Sequence, residues 1–215
     1  MKEKSFLQMQ AYDAIKNSIL DGELQPGQLY SETKLSAQIG ISRTPMREAL
    51  QCLSQDGYIT IIPSKGFMIR QLNEKDMKDS IEIRCAIEGF CTMTIASQPD
   101  TRERRKLFRE LNTTLENMEE AARAAAIDEF IDCDHQFHLR LVNYLRNDEF
   151  DQIFQRLLYL IHLTSQDALS TEGRIQGTIE EHRAYYEALT AGDGRKAYDL
   201  IIRHLTMPLK VHERK

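Results

Sequence analysis

From about Gln71 onward the chain changes its grammar: glycine and proline become sparse, no strand-like alternation recurs, and apolar residues repeat at helical spacing to the end. Such a stretch can bury its apolar stripes only by stacking helix on helix. Breaks at 98–100, 146–148, 172–173 and 192–194 divide it into helices expected near 74–97, 102–121, 125–146, 149–169, 174–191 and 194–212. The residues before it read instead as short elements separated by turns. A chain of 215 residues, 41% of them hydrophobic, can bury a proper core and is expected to split in two, at 1–71 and 72–215. The expected fold class is mainly α, with a small N-terminal unit carrying a β-hairpin and a C-terminal all-helical bundle.

Within the first unit, Tyr12 to Leu20 reads as an amphipathic helix closed by a glycine and a Pro26-Gly27 turn. Ser31 to Ile39 supplies a second helix, and Gly40 suits the positive φ of a helix C-terminus. In the run 41–50, ISRTPMREAL, Ser42 can cap a third helix and Pro45 falls in its first turn, where a missing donor does little harm. Arg43 and Arg47 then share one face, while Met46, Ala49, Leu50 and Leu53 share another that can pack inward. After Gly57, residues 58–62 and 67–70 read as strands around Pro63-Ser64-Lys65-Gly66. This is the order of a helix-turn-helix followed by a wing, with the third helix aimed at the major groove of duplex DNA. An isolated pair of arginines would ordinarily be a solvated helix face; the helix-turn-helix around Arg43 and Arg47 points to base edges and phosphates instead.

The run ILDGELQPGQLYSETKLSAQIGISRTPMREALQCLSQDGYITIIPSKGFMIRQL resembles the GntR family of bacterial winged-helix transcription regulators. The resemblance implies that Arg43, Thr44 and Arg47 touch an operator and that Gly66, at the wing tip, approaches the minor groove. Lys65 beside it is placed for a phosphate. Thr33 departs from a basic residue that some relatives carry nearby, so contacts from the second helix do not follow from the resemblance.

Net charge is −5, so DNA binding would have to depend on a few well-presented cations and weaken with salt; a general polyanion binder is excluded. No apolar run approaches the roughly 20 residues that span a bilayer, and the start lacks the apolar stretch of a secretory signal, so no membrane partner and a cytoplasmic location are expected. Cys52, Cys85, Cys91 and Cys133 lack the paired short spacing of a zinc ribbon or disulfide framework and are expected to be reduced. The basic run 102–106 opens a helix with Glu103 and Glu110 interleaved, and is expected to be a solvated face.

Polar residues also stand where helical periodicity calls for apolar ones. Asp134 and His138 share a stripe with Ile131, Leu141 and Leu145; His182 shares one with Ile175, Ile179, Tyr186 and Leu189; His204 shares one with Ala197, Leu200, Ile201 and Leu205. One histidine on an apolar stripe is usually a satisfied core residue. Three, with a carboxylate, would each be costly to bury unpartnered, and a divalent cation satisfies them together. Asp134, His138, His182 and His204 form a mixed nitrogen and oxygen set suited to Zn²⁺, Ni²⁺, Mn²⁺ or Fe²⁺, with zinc the first choice.

The segments DHQFHLRLVNYLRND and EEHRAYYEALTAGDGRKAYDLIIRHL are similar to the ligand-binding domain of the FCD branch of the GntR family. In that branch an Asp and three His commonly hold a metal, and the effector is typically a small organic acid bound against it. The resemblance assigns the same four residues as ligands, leaving His135, His162 and His212 as surface or packing residues. Arg84 falls where the family often has an arginine facing the pocket; it either pairs with an effector carboxylate or makes an ion pair with Glu82 or Glu88. Asn147 either lines the same cavity or caps the helix after it, and Asp148 and Glu149 in the following turn favour the cap. The expected protein is a homodimeric DNA-binding regulator, in the family's usual mode a repressor, whose operator affinity is set by a small carboxylate at a metal site. Two alternatives are a regulator that senses the metal with no organic effector and a metallohydrolase. The hydrolase lacks an H-E-x-x-H motif and leaves the winged helix unexplained.

Overall fold

A computed structural model describes residues 6–71 and 73–212. The chain divides after Asn73 into two compact units. In the first, α1 (Phe6–Leu20) buries Ala11, Ile15 and Ile19 against α3 (Arg43–Gln55), which contributes Met46, Ala49, Leu50 and Leu53. Helix α1 begins six residues before the expected start, because Ala11 fills the first inward position of the same stripe. Helix α2 (Glu32–Ile39) has a Ser31 cap whose hydroxyl accepts from Lys34 N, and it ends at Gly40 with φ 76°.

Ser42 stands at the N-cap of α3 but its hydroxyl makes no capping bond. The N-cap oxygen normally accepts from the second or third amide of the helix, and here the third residue is Pro45, which has no N–H. Beyond α3, β2 (Ile59–Ile62) and β3 (Gly66–Ile69) form the hairpin, with Ile61 opposite Phe67. A third strand, β1 (Leu29–Tyr30), pairs with the other edge of β3, giving the antiparallel order β1-β3-β2. Two residues are too few to show alternation, which is why β1 has no signature in the sequence. Gly66 is required where it stands: its φ is 132°, and a Cβ there would lie 2.0 Å from the Tyr30 carbonyl oxygen.

The second unit is helical throughout its described residues: α4 (Glu74–Ser97), α5 (Arg102–Arg123), α6 (Ile127–Tyr144), α7 (Asp148–Leu169), α8 (Arg174–Thr190), α9 (Gly194–Leu205) and α10 (Met207–His212). Helix α4 packs against α6, α7, α8 and α9, while α5 packs against α6 and α8. The last expected helix is in fact two. Pro208 cannot donate to the His204 carbonyl and its ring crowds that oxygen, so α9 closes at Thr206 and α10 starts afresh. The basic run at the start of α5 is not wholly solvated: Arg104 is buried, donates to the Ile95 carbonyl at 3.2 Å and lies 4.7 Å from the Phe108 ring centroid. No described helix is long and apolar enough to cross a membrane.

Helix α4 carries an unusual interior. Ser80, Arg84, Glu88 and Thr92 recur every fourth residue and all are buried, so a polar seam runs along the helix that touches most of its neighbours. Each member has a partner. Ser80 Oγ donates to the Met77 carbonyl, Arg84 pairs with Glu88, and Thr92 Oγ1 shares a hydrogen bond of 2.9 Å with Tyr185 Oη. That last contact identifies Tyr185, not Tyr186, as the enclosed tyrosine of α8; Tyr186 lies half-buried against Phe108.

Candidate functional site

Asp134 and His138 of α6, His182 of α8 and His204 of α9 come together in the interior of the helical unit, all four buried. One ligand-capable atom from each lies within 4.8 Å of the others. The reason is local. Asp134 and His138 are one turn apart on the inward stripe of α6, and α8 and α9 pack on one another so that their histidine rings meet at 4.3 Å between centroids.

The partners of the outer ring nitrogens fix the chemistry of the inner ones. His138 Nδ1 lies 2.5 Å from Glu88 Oε2, His204 Nδ1 lies 2.8 Å from Glu181 Oε2, and His182 Nδ1 lies 2.8 Å from the Thr178 carbonyl oxygen. Each of those oxygens is an acceptor, so each Nδ1 carries the proton and donates it. In the neutral tautomer the three Nε2 atoms then present lone pairs inward. His138 Nε2 and His204 Nε2 face each other at 3.2 Å, and His182 Nε2 lies 3.4 Å from Asp134 Oδ1. Neither His182 Nε2 nor Asp134 Oδ1 has a hydrogen-bond donor, although both are shut off from solvent. Four acceptors converge with no proton among them.

Electrostatics keep Asp134, His138 and His182 in that state. Burial first, then the Arg84 charge, pushes His138 well below the usual imidazole range, and burial with the neighbouring His204 brings His182 down to about 4. Burial by itself raises the Asp134 carboxyl, but the surrounding imidazoles, cationic in acid, outweigh it and hold it below the ordinary carboxylate range. At neutral pH this leaves an anionic Asp134 beside a neutral His138 and His182. A set of three imidazole nitrogens and one carboxylate oxygen, each histidine braced through its far nitrogen, fits a divalent transition metal.

Glu88 and Glu181 are the residues that sequence reading missed as parts of this site. Glu88 is fully enclosed and accepts from Arg84 Nε at 2.7 Å as well as from His138. Burial raises its carboxyl, and the Arg84 charge opposes that. Glu181 receives a two-pronged pair from Arg174, 2.9 Å to Oε1 and 2.6 Å to Oε2; burial raises its carboxyl, yet the bonds from His204 and Arg174 prevail and bring it to about 2. The sequence signal for Glu88 is its place one turn after Arg84, which marks an ion pair but not a buried one.

Arg84 thus makes the ion pair with Glu88, while Glu82 pairs at 3.8 Å with Lys78. Its Nη2 nevertheless remains buried without a hydrogen-bond partner. Arg84, Asp134, Thr178, His204 and Leu205 are among the residues that line a cavity of about 30 Å³ at the edge of the cluster. Asn147 is elsewhere in its role: its Oδ1 accepts from Glu149 N and Phe150 N at 3.1 and 3.3 Å, capping α7, and it is absent from the described cavity lining. His135 and His162 stand apart from the four, their rings 5.8 Å from one another, and the side chain of His212 lies outside the described residues.

In the first unit, Arg43, Thr44 and Arg47 are exposed at the start of α3, whose opposite face is fully buried. Lys65 is exposed at the hairpin turn and Gly66 follows it, half-buried. Arg47 Nη2 lies 3.4 Å from Glu32 Oε1 of α2.

Comparison with known proteins agrees over both units. Residues 7–69 match the model of the bacterial regulatory proteins of the gntR family, and residues 79–207 match the FCD domain. YdhC of Bacillus subtilis, an HTH-type transcriptional regulator, is 27% identical over 197 residues, which cover 91% of this chain and 86% of that one. A GntR transcriptional regulator from Rhodococcus sp. RHA1 shares the fold with a TM-score of 0.81 at 19% identity, covering 98% of this chain and 100% of that one. The Zn²⁺-bound FCD domain of TM0439 aligns with a TM-score of 0.50 at 21% identity, over 66% of this chain and 94% of that domain. A winged helix-turn-helix followed by a helical FCD domain, both recognised over nearly their whole extent, places this chain in the GntR family of bacterial transcription regulators.

Proposed function

We propose that this regulator binds its operator as a homodimer, and that a small carboxylate held beside a divalent metal in the helical unit sets its DNA affinity. The observation that carries the proposal is the inward convergence of Asp134 Oδ1 with the Nε2 atoms of His138, His182 and His204, all four residues buried, with Asp134 Oδ1 and His182 Nε2 lacking any hydrogen-bond partner. These four would hold the ion, and zinc is the first metal to test, as a fold relative has been described in a Zn²⁺-bound form; nickel, manganese and iron are the other choices. When bound, the metal supplies a positive anchor for a carboxylate oxygen. The protein supplies the rest: Arg84 offers a buried, unpaired Nη2, while Glu88 holds the guanidinium in place through Nε. Arg174 is already committed to Glu181, which in turn braces His204.

Arg43, Thr44 and Arg47 are the base and phosphate contacts of this reading, with Lys65 and Gly66 reaching the backbone and minor groove from the wing. Helix-turn-helix proteins read palindromes as two-fold pairs, and the exposed Ile83, Phe90 and Met93 of α4 are apolar surface that a second copy would cover. Because α4, α6, α8 and α9 each place a side chain at the cavity or the cluster, an acid bound there favours one packing of these helices over another. Only a ligand that distinguishes the two packings can shift DNA binding.

The test is to add Zn²⁺ and small carboxylic acids, separately and together, to the chelated full-length protein on a duplex selected from a randomised pool. Acid-dependent change in affinity that requires metal is the expected result. A response to metal alone would replace the organic effector by metal sensing. His182→Ala should lose most of its bound metal by elemental analysis, and full retention would remove the metal from the reading. Arg47→Ala should lose preference for the selected duplex with its metal content unchanged.

A further inference from the structure

Glu32 is the first residue of α2, and Arg47 is the fifth of α3. Their pairing is lopsided. The Glu32 side chain is only 19% exposed and its Oε1 is closed to solvent without a hydrogen bond, whereas the Arg47 side chain is 62% exposed. Oε1 and Arg47 Nη2 lie 3.4 Å apart, and among the described residues this is the one ion pair that either side chain makes.

A carboxylate in the first turn of α2 does favour the helix dipole, but an exposed one would do that as well. A half-buried carboxylate turned toward the arginine next to the duplex does something more specific. An arginine reads guanine by laying two N–H groups along one base edge, and a guanidinium free to swing finds phosphates just as readily, which carry no sequence information. Holding one nitrogen from behind limits the swing, and the negative charge discourages a turn toward the phosphate backbone.

We propose that Glu32 is a specificity-determining positioning residue: it buttresses Arg47 so that the guanidinium meets a base edge and not the phosphates. The proposal rests on Arg47 being a DNA contact. It requires that loss of the carboxylate move two quantities in opposite directions. Sequence preference falls, while affinity for arbitrary duplex holds or rises, because a repulsive charge is gone and Arg47 is released to a phosphate. The second effect also steepens the dependence of log K on log salt by about 0.9, the equivalent of one added phosphate contact.

The experiment uses the full chain and two duplexes of equal length, one selected by the wild-type protein from a randomised pool and one with that sequence scrambled. Wild type, Glu32→Gln, Arg47→Ala and the double variant are compared by fluorescence anisotropy over a range of salt. Glu32→Gln is expected to lower the ratio of selected to scrambled affinity about tenfold, without weakening scrambled binding, and to add nothing in the Arg47→Ala background. A ratio within twofold of wild type overturns the proposal. So does an equal loss on both duplexes, which is what mere weakening of α2 would give. If Arg47→Ala itself keeps the wild-type ratio, Arg47 is not a reader and both readings fall, a result distinct from failure of Glu32→Gln alone. Should Glu32→Gln lose its helical circular dichroism, Glu32→Asp takes its place: a lowered ratio supports the buttress, and an unchanged ratio overturns it.

Discussion

Replacing Glu88 by glutamine changes two atoms' chemistry at the centre of the helical unit and leaves its shape nearly intact. Glu88 accepts two hydrogen bonds, from Arg84 Nε and from His138 Nδ1. Arg84 can only donate, so the amide oxygen of the glutamine must face it, and the amide nitrogen is left facing His138. Nδ1 then has to accept, and the imidazole proton moves to Nε2, the atom that otherwise points its lone pair into the cluster. Removing the brace behind a metal-binding histidine typically costs 10–100-fold in affinity, about 1.4–2.8 kcal/mol. Competition between the protein and a zinc-binding dye should therefore give a dissociation constant raised by about that factor in Glu88→Gln. Leaving the buried Arg84 charge without its counter-ion should also lower metal-free stability by about 3–5 kcal/mol in urea denaturation. A variant that binds zinc within threefold of wild type, while folded, would refute the assignment of the tautomer and with it the role of Glu88.

Two serines that look alike in sequence should behave differently. Ser31→Ala removes a hydroxyl that caps α2 and should destabilise the winged unit by about 1 kcal/mol, whereas Ser42→Ala removes one that caps nothing and should cost well under about 0.5 kcal/mol by chemical denaturation. Gly66→Ala forces a Cβ toward the Tyr30 carbonyl at a φ that side chains avoid, and a loss of about 2 kcal/mol or more is expected in the same assay. Cys91 is fully enclosed, and burial followed by the Glu88 charge pushes its thiol up to about 12. At pH 8 it should resist alkylation until the protein is unfolded, and stoichiometric native labelling at Cys91, read by peptide mass, would contradict its placement.

The helix-turn-helix and the buried Asp/His cluster were legible because each rests on a strong period. Met46, Ala49, Leu50 and Leu53 mark one face of α3, and each cluster histidine stands among buried apolar residues of its own helix. What failed to show were features that depend on a second element. β1 exists only because β3 offers an edge, and Glu181 follows Glu180 as though both were solvated, its role set by Arg174 and His204. Helix α4 buries residues on several sides, so its apolar positions mark no single face and the seam at Arg84 and Glu88 is hidden among them. Two differences from expectation follow from one rule about proline: Pro208 divides the last helix, and Pro45 removes the amide that a Ser42 cap needs.

The seam along α4 bears on how this interior can evolve. Arg84 and Glu88, like Arg174 and Glu181, neutralise one another in surroundings where a widowed charge is severely penalised. A lone substitution at either member leaves its mate stranded, so drift through single steps is blocked and change must come in couples. Descendants that have abandoned the Asp/His cluster should have lost both members of a pair together and filled the void with hydrocarbon, while those that keep it should vary freely on the outer faces of the same helices.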